Sequence, residues 1–169
     1  ISNSPDEELN TVMDSFDPQV VGIGVMTIEC KYGFIDAAKV KKINPNVTVI
    51  FGGPHCSHEP QFILNDSNVD LMVSGEGDLT IVELVNTLEQ GKDVAGVPGI
   101  AYKKNGSYLR TAERPVIRDL DTIDQEYDLI NLEKYFNFQS SMDFFPVFRN
   151  KKFIPLVTSR GCPFKCTYC

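Results

Sequence analysis

Three cysteines close the chain, Cys162, Cys166 and Cys169, in the spacing C-x3-C-x2-C. Cysteine thiolates hold iron–sulfur clusters, and a four-iron cluster normally takes four of them. Three thiolates packed this closely can bind three irons and leave the fourth open to another ligand. A zinc site would want a fourth Cys or His nearby. The two histidines, His55 and His58, lie far off in sequence, though not excluded in space. A ferredoxin would use a tighter run and a second cysteine group. Cys30 and Cys56 stand apart and read as chance surface or half-buried thiols. An odd count with three of five thiols clustered is no disulfide framework; it points to metal or redox chemistry in a reducing compartment.

Two glycine-rich segments form the second candidate site, Gly52-Gly53-Pro54-His55 and Gly75-Glu76-Gly77-Asp78. Glycine lets a backbone turn sharply and approach a ligand closely. The second segment opens a helical pattern, whose free N–H groups suit an anion, while Glu76 and Asp78 oppose one. Taken singly, each segment reads equally well as a tight strand-to-helix turn with no ligand.

The elements that must position these residues follow from periodicity. Pro5 to Phe16 has helical spacing, with Leu9, Val12, Met13 and Phe16 on one face, Ser4 as cap and Asp17-Pro18 as the stop. Val20 to Met26 is a continuous apolar run, the pattern of a strand buried on both faces. A helix over Phe34–Ile43 and a buried strand over Val47–Phe51 follow. The Gly52–His55 segment reads as a loop and Pro60–Asn65 as a short helix. Val69–Ser74 reads as a third strand and Leu79–Gln90 as a strong helix ended by Gly91. Strands alternating with helices imply a Rossmann-like, flavodoxin-like, doubly wound and mostly parallel sheet. Ligands in such sheets bind beyond the carboxyl ends of the strands. Those ends carry Thr27 to Cys30, Gly52 to His58 and Gly75 to Thr80. Asn105-Gly106 then marks a hairpin between Gly99–Lys103 and Ser107–Arg110. Asp119–Leu129 is acidic and irregular, Asn131–Phe136 is a short helix, and Phe138–Phe153 is aromatic-rich without a clear period. Ile154–Thr158 reads as a strand leading to Cys162.

A net charge of −7 argues against a nucleic-acid surface, which needs clustered Lys and Arg. The one basic cluster, Arg149 to Lys152, reads as solvated linker. No apolar run approaches the roughly 20 residues that span a bilayer, and Ile1 to Asn10 is too polar for a signal peptide. A cytoplasmic location is expected. The chain starts without Met and stops on a cysteine, so it is expected to be part of a longer protein.

The cysteine motif resembles that of the radical S-adenosylmethionine (SAM) superfamily. Tyr168 is the aromatic residue that usually precedes the third cysteine there, and Ser159-Arg160-Gly161 matches the usual lead-in after a barrel strand. This resemblance implies a 4Fe-4S cluster on Cys162, Cys166 and Cys169, with SAM on the open iron. It also implies an external electron donor.

The earlier part resembles the cobalamin (B12)-binding domain found N-terminal to many radical SAM modules. The likeness rests on a buried strand followed by Gly52-Gly53-Pro54-His55, then Val69-Asp70-Leu71-Met72-Val73-Ser74-Gly75-Glu76-Gly77. The Gly99-Ile100-Ala101-Tyr102 hairpin and Asp119-Leu120-Asp121 match the layout as well. It implies a corrinoid across the strand ends, with its nucleotide tail near loops such as Thr27–Cys30. The matching cofactor-binding positions are Gly52, Gly53, Pro54, His55, Gly75, Glu76 and Gly77, with Thr27 and Thr80 beside them. It also implies a domain order: a cobalamin-binding domain over 1–118, a linker over 119–153, and the truncated start of a radical SAM barrel over 154–169.

Departures exist. The strand, helix and strand with which the family usually begins are missing. No D-x-H-x-x-G motif is present, so His55 is not assigned as a cobalt ligand. Asp78 stands where the family commonly has Glu, and Asp124 and Gln125 where prolines are usual. The expected activity of the parent protein is methyl transfer to an unactivated carbon of an unidentified organic substrate. Oxidative cyclisation of the anaerobic Mg-protoporphyrin ester type is the alternative, and a corrinoid-binding or scaffold domain without catalysis is a third reading. No catalytic side chain is assigned.

Overall fold

The computed structural model describes residues 5–123, 127–141, 152, 154 and 157–167. They fall into two compact units, 1–117 and 118–169. In the first unit α1 (Pro5–Phe16), β1 (Val20–Gly24), α2 (Cys30–Ile43) and β2 (Thr48–Gly52) come first. Two one-turn helices follow, α3 (Pro54–His58) and α4 (Pro60–Leu64). Then come β3 (Leu71–Val73), α5 (Gly77–Glu89), β4 (Ile100–Lys104) and β5 (Ser107–Arg110). In the second unit α6 (Leu132–Ser141) is the one α-helix among the described residues. The expected cap Ser4 lies outside the described residues, as do Asp124, Gln125 and Arg149 to Lys151. Residues 155 and 156 of the expected strand also lie outside them, and 154, 157 and 158 carry no strand.

The five strands form one sheet in the order β1-β2-β3-β4-β5. β1, β2 and β3 are parallel; β4 and β5 join antiparallel, so the hairpin extends the same sheet. The crossovers from β1 to β2 and from β2 to β3 lie on one face of the sheet. That face buries Val49, Phe51, Met72 and Ala101 against α2, α3 and α4 through Ala37, Val40, Cys56 and Ile63. On the opposite face Ile50, Leu71, Val73 and Ile100 pack against α5 through Leu84, Ile81 and Leu88. The result is an α/β sheet with helices on both faces.

β1 departs from the expected strand buried on both sides. It is the edge of the described sheet, it ends at Gly24 rather than Met26, and Gly22 and Gly24 are exposed. An apolar run alone cannot separate a central strand from an edge strand, because the run records hydrophobicity and not neighbours.

Helix starts also differ: α5 begins at Gly77 rather than Leu79, and α6 at Leu132 rather than Asn131. α2 begins at Cys30, four residues before the expected Phe34, because Glu29 is already helical and accepts from Tyr32 and Gly33 N–H. Gly33, a helix weakener in isolation, serves close packing: a Cβ there would sit 2.6 Å from Val25 Cγ1. The expected Gly52–His55 loop shortens to Gly53 alone, since Gly52 ends β2 and Pro54 and His55 open α3. Proline at the first helical position is preset for this. The hairpin turn is as expected, with Asn105 and Gly106 at φ 53° and 76°. Among the described residues no helix is long and apolar enough to cross a membrane.

Candidate functional site

Glycines shape the carboxyl ends of β1, β2 and β3. β1 reads Val-Gly-Ile-Gly from Val21, so alternation puts Gly22 and Gly24 on one face of the strand. In register they pair with Ile50 and Gly52 of β2. A Cβ at Gly22, Gly24 or Gly52 would meet nothing within 4 Å. This face is the one that α5 covers farther along the sheet, and over β1 no described residue buries Gly22 or Gly24. This strip forms a groove of about 440 Å³. Gly22, Gly24 and Gly52 floor it, and Gly75, Gly77 and Ile81 of the loop before α5 and of α5 itself wall it. Its lining is mostly apolar, and it ends at the N-terminus of α5, whose N-cap residue Glu76 makes no side-chain cap.

Gly53 has a different task from Gly52. Its φ of +100° is closed to most L side chains, and a Cβ would stand 2.7 Å from Val25 O. Its close approach is therefore to the end of β1. Val25 N–H also donates to Gly52 O (2.8 Å), so the two strand ends are clamped backbone to backbone.

The short helix α3 then stitches the three loops together. Thr27 Oγ1, in the loop after β1, lies 3.2 Å from His55 Nδ1. Ser57 Oγ accepts from Gly75 N–H (2.9 Å), which reaches the loop after β3. Between them Cys56 turns inward, fully buried, and its Sγ donates to Gly52 O (3.4 Å). Burial, and next the charge of nearby Cys30, push the Cys56 thiol up to about 12. Burial also raises the Cys30 thiol. Both thiols are thus core groups held in the neutral form, a correction to the surface or half-buried setting expected for them: the first turns of α2 and α3 carry them into the core on the sheet face that these helices cover.

The expected cofactor positions divide into four groups. Gly52, Gly53, Gly75 and Gly77 line the groove. Thr27 and His55 pair with each other, and the His55 ring meets Phe62 edge-on at 6.1 Å. Pro54 starts α3. Glu76 and Thr80 face the chain itself. The Glu76 carboxylate accepts from Ile117 N–H (2.7 Å). Thr80 is fully buried, and its hydroxyl accepts from Arg114 Nε (2.7 Å) and donates to Pro98 O (3.5 Å).

Gly22, Gly24 and Ser57 were missed in the sequence. For the first two the signal was present as two glycines at i and i+2 inside a strand, which marks a close backbone approach or a bare face. No local signal identifies Ser57.

In the second unit Cys162 and Cys166 are exposed free thiols. Cys169 and Tyr168 lie outside the described residues. Among the described residues no three Cys, His, Asp or Glu side chains gather around a common point. The donor chemistry of the motif, thiols open to solvent at short spacing, is what an iron–sulfur cluster takes.

Residues 2–85 match the B12 binding domain family. Among curated proteins, the chain is 37% identical to an uncharacterized methyltransferase of Pyrococcus horikoshii, over 96% of this chain and 33% of the relative. It is 30% identical to the anaerobic magnesium-protoporphyrin IX monomethyl ester cyclase of Synechocystis, over 74% of this chain and 23% of the relative. The chain thus spans a third or less of these relatives. Among solved structures, it resembles the radical SAM methyltransferase TsrM from Kitasatospora setae with cobalamin and a [4Fe-4S] cluster bound. The TM-score is 0.58 at 20% identity, over 63% of this chain and 22% of that one, a likeness of fold.

Proposed function

Because residues 2–85 of this chain match the B12-binding domain family, we propose that it is the corrinoid-holding part of a cobalamin-dependent radical SAM enzyme. The activity we infer for the whole protein is methyl transfer to an unactivated carbon. The observation that carries this reading is the glycine-floored groove at the strand ends. A bare sheet face flanked by the Gly75–Gly77 loop offers a slot for a flat or elongated group, with backbone rather than side chains against it. The nucleotide tail of a corrinoid fits this slot on the α5 face better than the Thr27–Cys30 side. Thr27 and His55 already satisfy each other, and α2 and α3 fill the sheet face beneath them.

When bound, the corrinoid supplies a transferable methyl group, and a cluster on Cys162, Cys166 and Cys169 supplies the electron that cleaves SAM. The residues of this chain bind and orient. Gly22, Gly24 and Gly52 leave room. Ser57 and Val25 hold the loops that edge the groove. His55, with Nδ1 engaged by Thr27, is oriented as a polar contact beside the corrin. The likeness to the Synechocystis cyclase favours a second reading, oxidative ring closure on the same cofactors. An external electron donor is needed in both.

Hydroxocobalamin binding tests the corrinoid half. The protein is incubated with it and freed of excess, and a retained visible spectrum is the expected result. The reaction type is tested on the full-length protein after anaerobic iron and sulfide reconstitution. Transfer of label from methyl-labelled SAM to a product supports methyl transfer, and SAM cleavage without transfer supports cyclisation.

A further inference from the structure

Glu76 occupies a position where a cofactor contact is expected, yet its carboxylate is engaged elsewhere. It stands at the N-cap of α5 without capping that helix, and its Oε2 accepts from Ile117 N–H at 2.7 Å. Ile117 is the last residue of the first compact unit. After β5 the chain runs from 111 to 117 without regular secondary structure, as a strap. Gly99 N–H donates to Ala112 O (2.7 Å) at its start. Arg114 fastens its middle to α5, donating from Nε to Thr80 Oγ1 (2.7 Å) and pairing with Glu83. Glu76 fastens its end.

The loop holding Glu76 is shared by two cavities. On one side Gly75 and Gly77 wall the glycine-floored groove. On the other, Gly75 and Glu76 line a second cavity of about 380 Å³ that is also lined by Arg110 at the end of β5 and by Glu113, Arg114 and Val116 of the strap. Glycines flank Glu76 on both sides, and Gly75 has φ +76°, so the loop has little stiffness of its own. Side chains supply it: Ser57 holds Gly75 N–H from α3, and the Glu76 bond to Ile117 ties the loop to the strap.

We propose that Glu76 is a positioning residue, a latch between the groove loop and the strap. Through it, corrinoid binding in the groove and the order of the chain at Ile117 are coupled. The coupling rests on the corrinoid reading above. Ordering the loop in advance raises affinity by lowering the entropy lost on binding. Linkage is reciprocal, so a ligand that favours the ordered loop also protects the strap end.

The test compares wild type, Glu76→Ala, Glu76→Gln and Ile117→Pro by amide hydrogen exchange across 112–118 and by hydroxocobalamin affinity. A charged acceptor on one backbone N–H corresponds to about a tenfold change or more. Without ligand, Glu76→Ala is expected to speed exchange at Ile117 about tenfold, and Glu76→Gln, which keeps an acceptor oxygen, to restore most of the protection. Hydroxocobalamin is expected to slow exchange at Ile117 in wild type and not in Glu76→Ala. Its affinity is expected to fall about tenfold in Glu76→Ala and in Ile117→Pro, with no further loss in the double variant. Wild-type exchange in ligand-free Glu76→Ala overturns the latch. Lost affinity that Glu76→Gln does not restore also overturns it, since the carboxylate would then touch the cofactor. Failure of the wild type to hold hydroxocobalamin instead removes the corrinoid reading, and the ligand-free arm still decides the latch.

Discussion

Gly24 and Gly52 face each other as a registered pair across β1 and β2, and neither has an atom within 4 Å of the place its Cβ would occupy. Neither φ is positive. These glycines therefore serve the open space above them and not the turn of the chain. Gly24→Val and Gly52→Val are expected to fold with stability within about 1 kcal/mol of wild type, because strand valines are favoured and nothing is displaced. Both are expected to lose hydroxocobalamin, as the branched side chains fill the groove. Urea unfolding and the visible spectrum after desalting check the two halves separately.

Gly53→Ala is expected to behave in the opposite way. The φ of +100° and the 2.7 Å approach to Val25 O leave no low-energy place for a methyl group. A loss of about 2 kcal/mol or more is expected. Any fall in corrinoid retention should then track the unfolded fraction, as chemical denaturation at several temperatures would show.

Asp70 works at the other end of the sheet. Its carboxylate accepts from Val49 N–H (2.7 Å) and pairs with Lys41 Nζ (2.7 Å), tying β2, α2 and the start of β3 together. Asp70→Ala is expected to lower stability by about 1–3 kcal/mol, since a strand N–H loses its acceptor. The folded fraction is expected to keep wild-type affinity for hydroxocobalamin. Weakened affinity in fully folded Asp70→Ala would place the residue nearer the site than the sheet allows.

Cys56 sets an alkaline limit. Its folded thiol is pushed up to about 12 from an ordinary value of 9.0, so the unfolded chain loses this proton first as pH rises. The folded state then holds more protons, and stability falls with pH. The contribution is intact below pH 9.0 and is lost between there and about 12. The slope approaches about 1.4 kcal/mol per pH unit. Cys56→Ala is expected to flatten this alkaline slope while lowering stability at neutral pH through the small cavity it leaves. Below pH 9, alkylation of the native protein is expected to reach Cys162 and Cys166, which are exposed, and to spare Cys30 and Cys56.

Periodicity carried much of the architecture. α1 coincides with the expected Pro5–Phe16, and the turn at Asn105-Gly106 falls where its two residues require, because both signals are local. The glycine segments at the ends of β2 and β3 were legible as strand-to-helix turns for the same reason. The division of labour inside them was not. Gly52 and Gly53 are neighbours of one residue type, yet one faces empty space and the other faces the backbone of Val25. Glu76 and Thr80 looked like cofactor contacts from their place in the chain. Their partners, Ile117 and Arg114, lie 41 and 34 residues away, where no spacing rule reaches. Ser57 became visible as a loop tie only once α3 and the Gly75 loop were side by side. The edge position of β1 depends on which strands pair, which hydrophobicity alone does not record.

Retention of hydroxocobalamin by wild type and by Gly24→Val, measured side by side after removal of free ligand, tests the glycine-floored groove as a corrinoid site most directly. The expected result is a wild-type protein that keeps a cobalamin spectrum and an equally folded Gly24→Val that is colourless. A colourless wild type, or a Gly24→Val that retains the same spectrum as wild type, would contradict it.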